Sequence, residues 1–419
     1  MHLKRSLMSV VLGTTTLILA SCGNSAPQQQ AVSEQDWGNH LQFNIDDASG
    51  ISPLAAACPT QLDTGYNSSV LNVGLYWYSP SESTDRGGVG CKARADGAAI
   101  PGYFDPSKPT IIYVHGWNNG LTASGRIGTT LQSNGREDLF FSEGNLNVAD
   151  AWIQAGWNVG IYQWTQLADD DGVLGKPYAA QAKIWTTTYP NVNMRFRKAD
   201  GTFNTTGSLT RPAGDQFALD YKAAMAQFTG SEVRFVGHSL GSQMVLAASW
   251  NLYNDTSFPN SKKPRRVVFA DPYWSPPSAD SGQSYSYLSP DAHPAARARR
   301  LVPILKQSGV VFEWIKSSRV NDLGGDNNEP MIKSVSRTEV FPDYIFDWNV
   351  AQGVARKHSV APRWYFWTRS FPVNSSMGVT ASQDLTRATT VMNASSKYDQ
   401  SGGKGTVTPS DDTFTKTLY

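Results

Sequence analysis

Gly237-His238-Ser239-Leu240-Gly241 spells G-x-S-x-G between a β-rich run, Glu232-Val233-Arg234-Phe235-Val236, and an apolar stretch, Gln243-Met244-Val245-Leu246-Ala247-Ala248, that reads as a helix. A serine exposed at a sharp strand-to-helix turn sits in a strained backbone conformation. Neighbouring turns then come too close for a Cβ, and Gly on both sides relieves the crowding. Ser239 is therefore read as a hydrolase nucleophile.

Working outward, further β-rich runs occur at Val70–Tyr78, Thr110–Val114, Asn158–Gln163, Arg266–Ala270 and Val310–Ile315. Several are continuous apolar runs without alternation, as expected of strands buried on both faces of a parallel sheet. Helical stretches at Val148–Ala155, Gly214–Phe228 and Ala295–Gln307 lie between them. In the second, Phe217, Tyr221, Met225 and Phe228 fall at helical spacing. Strand alternating with helix predicts a doubly wound α/β fold, with a mostly parallel central sheet and helices on both faces. Two insertions interrupt the rhythm. Leu167–Arg211 carries Asp169-Asp170-Asp171, expected to be a solvated loop. Ser275–Pro294 is dense in Ser, Pro and Tyr and lies beyond a strand end, where substrate-covering loops sit.

The amino terminus reads as a targeting segment. Lys4 and Arg5 precede a mostly apolar stretch from Leu7 to Ala20 that is too short to span a bilayer. Its end, Leu19-Ala20-Ser21-Cys22, resembles the lipobox of bacterial lipoproteins. That resemblance implies cleavage before Cys22 and lipidation of its thiol. Gly23 stands where Asp would favour inner-membrane retention, so an outer-membrane or cell-surface address is expected. Loss of residues 1–21 takes the formal net charge from +1 to −1. A near-neutral surface argues against nucleic acid as a partner. Of the 3 cysteines, Cys58 and Cys91 then remain, an even number in an oxidising compartment, and are expected to pair. Four segments result: a signal at 1–21, a tether and extension at 22–69, a catalytic domain at 70–370, and a Ser/Thr-rich extension at 371–419.

A serine hydroxyl needs a base within hydrogen-bond reach, itself oriented by a carboxylate. In this kind of fold the chain order is Ser, acid, His. Of the 6 histidines, His293 and His358 follow Ser239 by enough sequence. His358 is favoured because it comes after the last β-rich run and directly before the aromatic segment Trp364-Tyr365-Phe366-Trp367, whereas His293 sits in a loop with no preceding strand. Asp271 closes the first strand after the nucleophile helix and so points toward the same rim. Asp322, beyond the Val310 run, is the alternative acid. The oxyanion donors are expected to be the main-chain N–H of Leu240 and that of Trp117, which Gly116 would direct inward. His115 and His238 are read as supporting hydrogen-bond partners.

These segments together resemble the pancreatic-lipase-like group of α/β-hydrolases. His115-Gly116-Trp117 matches the H-G-aromatic oxyanion segment, Gly237–Gly241 the nucleophile turn, and Asp271-Pro272 the group's Asp-Pro. Trp164 falls where a Trp is common, with Gln163 in place of the usual Asp, and His358 with Arg363 and the aromatic cluster resembles the H-x-R-aromatic ending at a looser spacing. No cysteine follows Cys91, so the cysteine-bounded lid of vertebrate members has no counterpart. The resemblance implies an α/β-hydrolase fold and hydrolysis of carboxylic esters, especially lipid esters, with no metal or organic cofactor. Amide or small soluble ester substrates, or a non-catalytic surface-binding role, are the alternatives.

Overall fold

In the computed structural model, residues 58–60, 70–79, 90–118, 148–170, 176–322, 324–343, 345, 350–373 and 380–419 are described. The segments expected to be signal and tether lie wholly or mostly outside the described residues, as do Cys22 and Asp171. The strands are β1 (Gly74–Tyr78), β2 (Gly90–Lys92), β3 (Thr110–Val114), β4 (Asn158–Gln163), β5 (Phe196–Arg197), β6 (Phe203–Asn204), β7 (Val233–His238), β8 (Arg266–Ala270), β9 (Val311–Lys316), β10 (Arg337–Glu339), β11 (Ser396–Gly402) and β12 (Thr413–Leu418). The helices are α1 (Val148–Gln154), α2 (Thr165–Ala168), α3 (Tyr178–Trp185), α4 (Ala213–Ala224) and α5 (Gly241–Asn254). They continue with α6 (Ser278–Ser281), α7 (Pro294–Gln307), α8 (Val350–His358), α9 (Val360–Trp367) and α10 (Leu385–Met392).

Among the described residues, all strands but β5 and β6 join one 10-stranded sheet in the order β12-β11-β10-β9-β8-β7-β3-β4-β1-β2. From β4 to β11 every pairing is parallel, and antiparallel pairs close the two ends. This is the α/β-hydrolase arrangement, a mostly parallel sheet covered on both faces. Alternate residues of one strand serve two different cores, because strand side chains alternate faces. Ile112 and Val114 of β3, Val233 and Phe235 of β7, and Val267 and Phe269 of β8 pack with α4, α5 and α7. Ile111, Tyr113, Val236, Val268 and Ala270 face the opposite way, onto α1, α9 and α10. Burial on both sides is what the unbroken apolar runs demanded.

Strand order reverses between β3 and β7. The chain leaves β3 toward β4 on one side, then returns to place β7, β8 and β9 on the other. Carboxyl ends of strands at such a reversal leave a crevice in which ligands bind. Both β3 and β7 end there, which sets the loop after Val114 beside the turn at Ser239.

Three expectations are corrected. The acidic triplet is not a solvated loop: Asp169 and Asp170 are fully buried. Asp170 pairs with Lys183 at 2.7 Å and Arg195 at 2.8 Å, so the insertion brings its own cations to its own anions. The insertion is also not a bare excursion, since α3 lies within it and packs on α4 and α5. The tail beyond residue 370 is not an appendage. Helix α10 covers one sheet face, while β11 and β12 extend the sheet itself, because β10 leaves an open parallel edge that β11 pairs with. Cys58 and Cys91 form a disulfide that fastens the segment before β1 to β2, with Cα atoms 5.6 Å apart.

Candidate active site

The turn after β7 has the geometry its glycines implied. Ser239 has φ of 56°, in the left-handed region that a non-glycine residue enters only under constraint. A Cβ on Gly237 would collide with the main chain of Gly241, and one on Gly241 with the carbonyl of Val114 in β3. Both glycines are therefore required by contact of the turn with itself and with the neighbouring strand. Ser239 is buried but not sealed, at 7% exposure, and its N–H donates to Ala270 O at 3.1 Å.

Asp271 follows β8 directly and also takes a left-handed conformation, φ 41°. It is fully buried, and its Oδ2 lies 2.6 Å from Nδ1 of His358, 87 residues later in the chain. Burial acts to raise the Asp271 carboxyl, but the His358 bond, the Ser318 hydroxyl and the Ser317 N–H together hold it below its ordinary value. An ionised Asp271 leaves Nδ1 of His358 as the donor and Nε2 as the free, basic nitrogen. His358 ends α8, and the chain turns at Ser359 before α9 begins at Val360. That turn needs a fixing point, and His238 supplies one: its Nε2 is 3.0 Å from His358 O, with the two rings 4.5 Å apart.

The loop after β3 abuts the nucleophile. A Cβ on Gly116 would fall 2.5 Å from Cβ and 3.0 Å from Oγ of Ser239, so only glycine allows this approach. His115 anchors the loop through Gly116 O at 2.9 Å and Thr165 Oγ1 at 3.1 Å, and Trp164 Nε1 donates to His115 O at 2.9 Å. Burial lowers the His115 pKa to about 4, so its ring is neutral in ordinary buffers. The Trp117 indole donates to Asp170 O at 3.3 Å, which ties the loop to the buried ion pairs of the insertion. Among the described residues, the main-chain N–H groups of Trp117 and Leu240 meet no acceptor. Two such donors beside a serine hydroxyl can receive a developing oxyanion.

The structure thus brings His358 and Asp271 together and sets Ser239 against Gly116. The Ser239 hydroxyl itself makes no hydrogen bond among the described residues. His293 instead pairs with Asp326 at 2.8 Å, and Asp322 with Arg319 at 2.9 Å. Reading the sequence missed Ser317 and Ser318, which surround Asp271. The available signal was a Ser-Ser step immediately after a β-rich run, on the rim where the acid was placed.

The Ser275–Pro294 segment is tied at its start to α3 and α5 by buried hydrogen bonds. Ser275 Oγ donates to Gln181 Oε1 at 2.7 Å, and Gln243 Nε2 bridges the same oxygen at 3.0 Å and Tyr273 O at 2.8 Å. Gln243 lies one helical turn beyond Ser239, so this buried amide network locks the start of the segment onto α3 and α5.

No protein-family model matches the chain, and no curated protein does. Among solved structures it is similar to LpqC, a poly(3-hydroxybutyrate) depolymerase from Bordetella parapertussis, at 13% identity and TM-score 0.25, over 62% of this chain and 69% of that one. It is also similar to esterase Est22 bound to p-nitrophenol, at 15% identity and TM-score 0.27, over 66% and 72% of the two chains. A third is the siderophore hydrolase EstA from Aspergillus nidulans, at 11% identity and TM-score 0.22, over 70% and 79%.

Proposed function

We propose that this chain is a serine hydrolase of carboxylic esters, acting through an acyl-enzyme on Ser239. The observation that supports it most is the 2.6 Å His358–Asp271 bond at the rim where Ser239 occupies a left-handed turn. His358 Nε2 takes the Ser239 proton as Oγ attacks the ester carbonyl, and Asp271 holds the ring's tautomer and balances its charge. The hydroxyl–imidazole contact closes when substrate fills the crevice, since such bonds are commonly long in empty sites. The N–H groups of Trp117 and Leu240 receive the oxyanion. His358 then returns the proton to the leaving alcohol, and water attacks the acyl-enzyme by the same route in reverse. Neither a metal nor an organic cofactor enters these steps.

Lipid esters are the substrate class that the sequence resemblance implies, with anchoring through a lipidated Cys22 in the cell envelope. A small soluble ester is the second reading, favoured by the amide network that fixes the start of the Ser275–Pro294 segment instead of leaving it free to open on a lipid surface. Fluorophosphonate labelling that is lost in Ser239→Ala tests the chemistry; an unlabelled wild type overturns it in favour of a binding role. An acyl-chain series of p-nitrophenyl esters separates the two substrate classes, and metabolic labelling with a fatty acid, abolished in Cys22→Ala, tests the anchor.

A further inference from the structure

We propose that Ser317 and Ser318 are positioning residues that set the acid and the base of the site together. This rests on the reading of Ser239, Asp271 and His358 as the hydrolytic machinery. Strand β9 ends at Lys316, and the two serines that follow are buried at 2% and 6% exposure. Their main-chain N–H groups donate to Asp271 Oδ1 at 3.0 and 3.3 Å. The Ser318 hydroxyl donates to Asp271 Oδ2, the oxygen that His358 Nδ1 also meets. The carboxylate is thereby surrounded by four donors, which uses its whole accepting capacity.

The direction of each hydroxyl proton is fixed by the partner it faces, since an ionised carboxylate and a carbonyl oxygen only accept. Ser318 Oγ accepts from Val320 N at 3.1 Å, and its single hydrogen is committed to Asp271. Ser317 Oγ accepts from Ala361 N at 3.0 Å, and its hydrogen is committed to Lys357 O at 2.6 Å. Lys357 and Ala361 flank the turn at Ser359, which directly follows His358 at the end of α8. One dipeptide therefore holds the carboxylate from one side and spans the turn beside the imidazole from the other. Without the Ser318 hydroxyl, Asp271 keeps its two main-chain donors on Oδ1, but Oδ2, the oxygen facing His358, is held by the imidazole alone. Without the Ser317 hydroxyl, the α8–α9 turn loses its hydrogen bonds at Lys357 O and Ala361 N to the end of β9. Neither serine touches substrate.

The full chain, with p-nitrophenyl butyrate as probe, tests this. Ser318→Ala is expected to lower kcat roughly ten-fold, the size of one hydrogen bond to a charged group, and Ser317→Ala, which removes two hydrogen bonds to neutral main-chain groups around His358, by a similar factor, with KM little changed in both. Ser318→Thr, which keeps the hydroxyl, is expected to restore kcat. The low-field proton resonance of the His358–Asp271 hydrogen bond is expected to move in Ser318→Ala and to return in Ser318→Thr. A Ser318→Ala enzyme with wild-type kcat, or with an unmoved resonance, overturns the proposal. Should wild-type protein neither hydrolyse the ester nor take up a fluorophosphonate, the reading of the site as hydrolytic fails. The resonance then decides the positioning claim alone.

Discussion

His238 Nε2 lies 3.0 Å from the main-chain oxygen of His358, so the residue before the candidate nucleophile holds the residue proposed as its base. A carbonyl oxygen only accepts, which places the hydrogen on Nε2 of His238. Burial, reinforced by the nearby His358, drives the His238 pKa down to about 3, so the ring is a neutral donor throughout the range in which esterases are assayed. His238→Phe keeps an aromatic ring but leaves His358 O without its donor. The expected outcome is a kcat about ten-fold lower, from one lost hydrogen bond and a less well-placed imidazole. The acid limb of the pH–rate profile should survive the substitution, since His238 gains no proton above about pH 4. Steady-state rates from pH 5 to 9 on both proteins check this, and loss of the limb would mean that His238 is itself the titrating base.

Gly116→Ala isolates the approach of the loop after β3, proposed to carry an oxyanion donor, to Ser239. The added methyl would sit 2.5 Å from Ser239 Cβ and 3.1 Å from His238 O, and main-chain oxygen cannot step aside as a flexible side chain can. The loop must withdraw, taking the Trp117 N–H with it. Losing one oxyanion donor typically costs 10²–10³ in rate, and that is the expected fall in kcat. A matching fall in fluorophosphonate labelling rate, with an unchanged melting temperature, would locate the effect in the loop rather than in the fold.

Legibility of the chain followed burial. Strands β3, β4 and β8 coincide with apolar runs evident in the sequence because nothing but a doubly covered sheet interior suits them. Strand β7 runs two residues beyond its apolar core, since Gly237 and His238 stay paired with β8 up to the turn. Strands β11 and β12 were illegible for the opposite reason. Ser396–Gly402 mixes charged and hydroxyl residues, and Thr413–Leu418 is an exposed edge in which Phe414 alone is buried. At the site, chain order and position narrowed the base to His358, and a strand end together with the Asp271-Pro272 resemblance favoured Asp271 over Asp322, but no pattern encodes which hydroxyl reaches a carboxylate from a third strand. Asp169 and Asp170 misled because an acidic run carries no sign of the cations that will meet it.

That burial makes the insertion dependent on its ion pairs. Lys183 Nζ donates to Asp170 and to the carbonyls of Leu167 and Arg195 in the interior. Desolvation lowers its pKa to about 8, with Asp170 opposing the shift. Lys183→Met would fill the space but leave Asp170 without its buried ammonium partner, still paired with Arg195. Breaking one side of a buried pair costs about 3–5 kcal/mol, partly offset here by that second partner. Denaturant unfolding should show the loss. Removing both charges, Lys183→Met with Asp170→Asn, should recover part of it, because no uncompensated carboxylate then remains inside. If the single variant unfolds at the wild-type midpoint, the insertion does not rely on this pair.

Asp412 gives the stability of the chain a pH dependence of definite sign. It accepts from Trp364 Nε1 at 2.6 Å and Gln400 Nε2 at 2.8 Å, which links the residue just before β12 to α9 and β11. Burial outweighs both donors and raises its pKa to about 7, from 3.8 for a free carboxyl. Between those two values the folded chain binds a proton that the unfolded chain has released. Stability contributed by this group therefore falls as pH rises from about 4 to 7, and is level outside that window. Asp412→Asn removes the titration but keeps the shape, so the melting temperature of the variant relative to wild type should climb as pH is raised from 4 to 8. The comparison cancels every other titrating group common to the two proteins. A difference that stays constant over that range would mean that Asp412 is ionised in the folded chain throughout, with its two donors prevailing over desolvation.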